Sequence, residues 1–171
     1  STAPSADPCQ IDNMGDVGGQ GHVPVLNALF NNESFLGDYV QRYATLSNTI
    51  FSCDRMLEVL DSMIAVIEPE MQRHCNRWGG TLAGWQANVD ALREFIEARC
   101  NNTIVEGIEG CYDVTAYQVN IEVDGIGEIE FATLPLNNTN TPYSGTYFAD
   151  LPIDLFAASD GALCGNFVGW E

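Results

Sequence analysis

The stretch 66–95, "VIEPEMQRHCNRWGGTLAGWQANVDALREF", decides how the chain folds, because a Gly-Gly break divides two helical patterns. Gly79 and Gly80 end the first pattern, and Thr81 is placed to cap the second. Pro69 lies inside the first pattern and should kink that helix, since proline has no N–H to donate and crowds the preceding turn. The stretch therefore predicts two consecutive helices joined by a tight corner.

Amphipathic periodicity extends this pattern on both sides of the break. Apolar residues recur at spacings of three and four, as one face of an α-helix requires. The second of three such stripes follows Ser52, a predicted N-cap. The stripes, each predicted to be buried, are Phe35, Leu36, Tyr39, Val40, Tyr43, Leu46 and Ile50; Met56, Leu57, Leu60, Met63, Ile64, Ile67 and Met71; and Trp85, Val89, Leu92, Phe95 and Ile96. Three such helices with short connections predict an antiparallel bundle or lobe.

After Cys100 the apolar period changes from helical to alternating, which is typical of β-strands. Strands are predicted in "YQVNIEVDG", "GEIEFATLPL", "GTYFADLPIDLFAAS" and "CGNFVGWE". The predicted fold class is α+β, an antiparallel helical bundle or lobe followed by a small antiparallel β domain. We expect an ordered loop at 1–21, a helical lobe at 22–105, and a small antiparallel β module at 106–171 that stops within a strand and is truncated.

The charge of the chain limits its partners. Six arginines and no lysine stand against 24 acidic residues, which gives a net charge of −18. This charge would repel nucleic acid and anionic membrane surfaces, so we expect neither as a partner. Without lysine the chain lacks the ammonium group of a P-loop, of a protein-kinase strand lysine and of a Schiff-base nucleophile.

The cysteines favour disulfides over a metal site, because their spacing is not that of a zinc finger. Cys100 and Cys111 flank the helix-to-strand switch and are predicted to pair, which would stabilise the fold by roughly 3 kcal/mol. Cys9 is predicted to pair with Cys53. Disulfides imply an oxidising compartment, so we expect an extracellular or cell-surface location.

Three glycosylation sequons agree with export. They begin at Asn32, Asn101 and Asn137, and such triplets mark surface loops of secreted proteins. No signal peptide, start methionine or long apolar run is present. We therefore expect a mature product or a piece of one.

A cationic and aromatic cluster flanks the glycine pair: Arg73, His74, Arg77, Trp78 and Trp85. Two guanidinium groups and an imidazole near a helix end could bind an anion. The favoured interpretation is structural: the cations complement the helix dipole, while the tryptophan rings bury against the next helix and stack on arginine. On that interpretation Trp78→Ala would cost roughly 3–5 kcal/mol.

Other candidate sites are weaker. Glu68 and Glu70 point in different directions on a helix, so a shared substrate is not expected. Asp7, Asp12 and Asp16 lack the spacing of an EF-hand. We predict no catalytic, cofactor-binding or metal-binding residue in this chain.

The helical part resembles a known family. The combination "IEPEM-RH–RWGG" followed by "W-ANV–LR-F" is similar to the C-terminal helical part of CotH-type proteins, the spore-coat H family of secreted, kinase-like proteins. The version it resembles occurs in large secreted proteins of Bacteroidota. The residues that follow resemble a bacterial surface β-repeat, and such proteins often continue to a type IX secretion signal that is not present here.

The resemblance implies phosphotransfer chemistry in a full-length parent and none in this segment. In the family the catalytic and nucleotide-binding residues precede the matching segment, so no catalytic residue is carried over. ATP and Mg²⁺ are thus implied as cofactors of the parent only. Whether that parent is an active enzyme is left open.

Three functions follow as hypotheses. The leading one is a non-catalytic structural fragment of an extracellular CotH-like protein, which supports the kinase-like core and links it to surface β modules. Its partners would be the remainder of the parent chain or other cell-surface proteins. The alternatives are part of the C-lobe of an active secreted Mg²⁺-dependent ATP phosphotransferase, and an adhesion module whose Tyr143, Tyr147 and Phe148 contact a glycan or protein.

Overall fold

The computed structural model describes residues 4, 6, 22–100, 104–158, 169 and 170. Helices come first in this part of the chain: α1 His22–Leu29, α2 Glu33–Asn48, α3 Cys53–Trp78, α4 Leu82–Ala98 and α5 Ile104–Tyr112. Strands follow: β1 Ala116–Ile121, β2 Glu128–Phe131, β3 Leu134–Asn137, β4 Tyr143–Phe148 and β5 Leu155–Ala158. The α+β fold class is confirmed. Most of the predicted loop at 1–21 and most of the predicted last strand lie outside the described residues.

Local signals set the ends of α3 and α4. The side chains of Ser52 and Thr81 each accept a hydrogen bond from the backbone amide three residues later, as N-caps do. α3 ends at Trp78 and is followed by Gly79 and Gly80, whose φ angles of 88° and 95° lie in the region that favours glycine. The helix is continuous through Pro69. The predicted corner between two helices is confirmed.

The strands form two antiparallel sheets. β1 pairs with β4, and the second sheet has the order β3-β2-β5. Phe131 lies opposite Leu134, so Ala132 and Thr133 alone make the turn between β2 and β3. Their φ angles of 48° and 71° suit a two-residue hairpin turn but are unusual for residues other than glycine. The single predicted strand "GEIEFATLPL" is therefore a hairpin.

The main core lies between α2, α5 and the two sheets. Val40 and Ala44 of α2 pack in one cluster with Ile108 of α5 and with Tyr147 and Phe148 of β4. α2 packs against β4, while α3 and α4 pack against each other. Within the predicted helical lobe, α2 thus packs chiefly against the strands. α5 also crosses the predicted boundary at 105/106.

A polar clamp, defined as Gln41, Thr45 and Asn48, fixes α2 to β4. The Nδ2 of Asn48 donates to the carbonyl of Thr146 over 2.7 Å, and its Oδ1 accepts from the Thr146 amide over 3.0 Å. Asn48 thus satisfies the edge of β4 as a neighbouring strand would. The buried Gln41 donates to the Phe148 carbonyl over 3.0 Å. This clamp bonds α2 directly to the backbone of β4.

The turn between β2 and β3 is also held by α2. Thr45 donates from its hydroxyl to the carbonyl of Ala132 over 3.3 Å. Arg42 donates to the Thr133 hydroxyl over 2.6 Å, and the Ala132 amide donates to the Asp154 carbonyl over 3.0 Å. Backbone in a sparsely populated conformation persists where its surroundings fix it. Contacts from α2 and from the approach to β5 supply that restraint here.

Candidate functional site

The hairpin of α3 and α4 carries the predicted cluster at its closed end. We call the residues Arg73, His74, Arg77, Trp78 and Trp85 the hairpin tip. Trp78 is 71% exposed, so the prediction that its ring is buried against the next helix is wrong; Trp85 is only partly buried. The reason is that no third helix among the described residues covers this end of the two-helix hairpin.

Two of the contacts at the hairpin tip involve its arginines. The guanidinium of Arg77 lies 5.0 Å from the ring centroid of Trp78, which confirms the expected stacking. Arg73 pairs with Glu70 over 3.0 Å, and both side chains are exposed. The sequence around the tip has no acidic residue between Glu70 and Asp90. The tip is therefore a locally cationic point on a strongly acidic chain.

A row of exposed apolar side chains runs along the hairpin from this tip. We call Met63, Val66, Ile67 and Leu92 the apolar flank. Met63 and Val66 are 62% and 77% exposed, and the other two are about half exposed. Residues at i, i+3 and i+4 share one side of a helix, so the three α3 members form a continuous strip. The sequence pattern predicted that Met63, Ile67 and Leu92 are buried. This prediction is wrong.

An ion pair marks the opposite side of the hairpin. Arg93 of α4 donates to Asp61 of α3, and this hydrogen bond, followed by the attraction of the Asp61 charge, raises the pKa of Arg93. Met63 lies two residues, about 200°, around α3 from Asp61, and Leu92 lies about 100° around α4 from Arg93. The apolar flank therefore faces away from the ion pair. Along this stretch of the hairpin, the Asp61–Arg93 ion pair and the apolar flank thus lie on different sides.

A disulfide closes the open end of the hairpin. Cys53, the first residue of α3, is bonded to Cys100 just after α4, with the two Cα atoms 5.3 Å apart. The predicted pairs Cys100–Cys111 and Cys9–Cys53 are both wrong. Cys111 is disulfide-bonded as well, and Cys9 lies outside the described residues. The physical reason is that antiparallel helices bring their outer ends together regardless of sequence separation.

A cleft of about 210 Å³ lies beside this disulfide, between α2 and α4. Tyr43, Leu46 and Phe95 line it with mainly apolar surface. Arg99, also in its wall, donates to the backbone carbonyls of Pro4 and Ala6. Its described lining contains no carboxylate or imidazole.

The aromatic residues of β4 are not an exposed binding surface. Tyr147 and Phe148 are 0% and 2% exposed, so the prediction that they contact a glycan or protein is wrong. The hydroxyls of Tyr143 and Tyr147 lie 2.9 Å apart. Burial, followed by this hydrogen bond, raises the pKa of Tyr143 well above its usual range. These rings belong to the core.

Two of the three predicted glycosylation residues, Asn32 and Asn137, are among the described residues. Asn32 caps α2 and accepts from the Phe35 amide over 3.0 Å. Asn137 ends β3, and Asn101 lies outside the described residues.

The described residues contain no group of three or more metal-ligating side chains. Nor does any described helix have the length and apolar character to span a membrane.

Sequence reasoning missed the polar clamp and the openness of the apolar flank. A helix face rich in Gln, Thr and Asn ordinarily predicts exposure, so nothing in the local pattern marks Gln41, Thr45 and Asn48 as buried. The flank was visible as apolar periodicity, but periodicity does not say what covers it. The one sequence feature that could have indicated an open flank is the width of the α3 stripe, which is broader than packing against one partner helix requires.

Comparison with known families gives a match to this helical part. A family model described as "CotH: CotH kinase protein" matches residues 9–102, more than half of the 171 residues of the chain. The match covers α1 to α4 and ends before α5 and the strands. Comparisons with curated proteins and with solved structures find no match. The resemblance of the β part to a surface repeat stays a prediction.

Proposed function

Because the chain belongs to the CotH kinase protein family, we propose that it is a non-catalytic structural element of a CotH-type protein. Its helical hairpin supports the kinase-like core, and its β part links that core to further modules at the cell surface. The disulfide at the base of the hairpin supports an oxidising, extracellular location. On the resemblance given above, we propose that the parent is a cell-surface protein of Bacteroidota that is exported by type IX secretion.

The observation that carries the proposal is the apolar flank. Soluble proteins rarely leave a continuous strip of large apolar side chains uncovered, and such strips mark interaction surfaces. Fully burying one such side chain is favourable by about 1.5–3 kcal/mol before the entropy costs of association are counted. Covering the exposed Met63 and Val66 side chains with a partner would therefore be favourable.

We propose the kinase-like core of the same protein as that partner. The flank lies inside the residues that the CotH family model matches, whereas the strands lie outside them. The disulfide and the Asp61–Arg93 ion pair hold the two helices together, so the hairpin presents the strip as a preformed surface. A preformed surface loses little conformational entropy on docking.

The linking role is supported by the shared core. α2 belongs to the matched region, yet its Val40 packs with Tyr147 of β4. The clamp residues Gln41 and Asn48 bond the backbone of β4 directly. The β part is thus fixed in orientation relative to the CotH-family helices, as a spacer between modules requires.

The test separates the two sides of the hairpin. A kinase-like core and this chain are produced as separate polypeptides, and their affinity is measured by titration calorimetry. Met63→Glu places a charge on the apolar flank, and Ala65→Glu places the same charge on exposed α3 surface nearer Asp61. We expect at least about tenfold weaker binding for Met63→Glu, about 1.4 kcal/mol, and little change for Ala65→Glu. Equal effects, or no binding by the wild-type chain, would refute the proposed docking.

A further inference from the structure

The sequon at the end of β3 has a geometry that the other described sequon lacks. The Oδ1 of Asn137 accepts hydrogen bonds from the backbone amide of Thr139 over 2.8 Å and from the Thr139 hydroxyl over 2.6 Å. The sequon's own hydroxyl is therefore already in contact with the acceptor carboxamide. Recognition of an Asn-x-Thr triplet depends on that hydroxyl.

The backbone holds this arrangement in place. The amide of Asn137 donates to the Asn140 side chain over 2.7 Å. Its carbonyl accepts from the Thr141 amide over 3.1 Å and from the Thr141 hydroxyl over 2.8 Å. Local side-chain bonds of this kind fix polar turns. The carboxamide thus has a defined position at the start of the loop between β3 and β4.

Asn137 is itself partly exposed and stands at the start of an exposed loop. The Nδ2 of Asn137 makes no hydrogen bond to the described residues, and Asn138, Thr139 and Asn140 are exposed. The site also lies on the β part, away from the apolar flank of the hairpin. A transferase could therefore reach it without competing with the proposed docking.

The sequon at Asn32 is used differently. The Oδ1 of Asn32 accepts from the Phe35 amide as the N-cap of α2, and Ser34 lies in the first turn of that helix. Among the described residues the Ser34 hydroxyl makes no hydrogen bond to Asn32. The helix start thus separates the hydroxyl from the carboxamide that it would have to assist.

We propose that Asn137 is an N-glycosylation site of the folded chain. The donor is a sugar whose anomeric carbon carries a phosphate leaving group, linked to a nucleotide or to a lipid. The bond from Nδ2 to the anomeric carbon forms as the bond from that carbon to the phosphate oxygen breaks. The Nδ2 proton passes to a base of the transferase, and the phosphate leaves with the bonding electrons, so no oxidant or reductant is needed.

The experiment presents the folded, oxidised chain to two donors in separate arms. One arm uses a soluble asparagine glycosyltransferase with UDP-glucose, and the other a membrane oligosaccharyltransferase with a lipid-linked oligosaccharide. Peptide mapping by mass spectrometry locates the added sugar. We expect the sugar on Asn137 in at least one arm, and the arm that works identifies the donor class.

Matched variants separate this role from folding. Thr139→Ala should lose the sugar while keeping the wild-type melting temperature, and Thr139→Ser, which retains a hydroxyl, should recover it. Asn32→Gln should leave the modification of Asn137 unchanged. An unmodified Asn137 in both arms, or modification of Asn32 in preference to it, would overturn the proposal and leave the docking proposal untouched.

Discussion

The α2 helix and the α3 helix are both amphipathic, but their apolar sides meet different surroundings. The inner side of α2 is covered by the sheets, so that Val40 is 0% exposed. Part of the apolar side of α3 is open, with Met63 62% and Val66 77% exposed. An amphipathic pattern therefore predicts which side of a helix is apolar. Whether other elements bury that side depends on the tertiary structure.

The two regions also differ in what stabilises them. The α2–β region has a continuous apolar core and a polar clamp that bonds the edge of β4. The α3–α4 hairpin buries few side chains, chiefly Leu60, Cys75, Val89 and Ile96. Its disulfide replaces part of the packing that a larger core would supply.

The sharpest contrast is between two large aromatic residues, one in each region. Tyr147→Ala should lower the free energy of unfolding by roughly 3–5 kcal/mol, because it opens a cavity in the main core. Trp78→Ala at the exposed hairpin tip should change it by no more than about 1 kcal/mol. Urea denaturation followed by circular dichroism measures both. Similar losses in the two variants would refute the division into a dense and an open region.

Removing the disulfide should affect the hairpin next most strongly. Cys53→Ser should cost about 2–4 kcal/mol, because the unfolded chain is no longer restrained by a cross-link between residues that are 47 apart. Limited proteolysis should then cut within α3 and α4 before it cuts α2. Cys100→Ser, which removes the other half of the same bond, should have the same effect. Equal resistance of the wild-type and Cys53→Ser chains would contradict this account.

The polar clamp should matter more than a surface amide of the same type. Asn48→Ala leaves the amide and carbonyl of Thr146 without their side-chain partner, at a cost of roughly 1–3 kcal/mol. Asn76→Ala removes an exposed amide on α3 that bonds only Gln72 among the described residues, and should cost less than about 0.5 kcal/mol. Thermal unfolding of both variants measures the difference. If Asn76→Ala costs as much, the clamp has no special role.

Alkaline pH should weaken the α2–β region through the partly buried Tyr143. The folded state holds the Tyr143 proton more tightly than the unfolded state, whose tyrosines titrate near 10.0. The free energy of unfolding should therefore be unaffected by this group below about pH 10 and fall as the pH rises above it. Tyr143→Phe should reduce that slope, and urea titrations from pH 8 to 11 would measure it. A slope unchanged by Tyr143→Phe would contradict the role of burial.

The features that the sequence predicted are those set by neighbouring residues. Ser52 and Thr81 cap helices through amides three residues away, and Gly79 ends α3 through its own backbone angle. Such signals lie within one helical turn and are visible in the sequence. The α+β class follows equally from the change of apolar period after Cys100.

The features that it missed depend on distant contacts. Asn48 bonds Thr146, 98 residues later, and only that contact makes its burial favourable. α5 contains Gly107 and Gly110, which are weak helix formers, so its helix depends on packing of Ile108 in the core. The disulfide pairing was wrong because closeness in sequence does not measure closeness in a helical hairpin.

Oxidation of Met63 tests the central claim that the apolar flank is open here and is covered by the kinase-like core. The chain is treated with hydrogen peroxide alone and in the presence of that core, and sulfoxide is quantified by peptide mass spectrometry. We predict that Met63 oxidises faster than the less exposed Met56 in the chain alone and becomes the slower of the two in the complex. An oxidation rate of Met63 that is unchanged by the core would contradict the account.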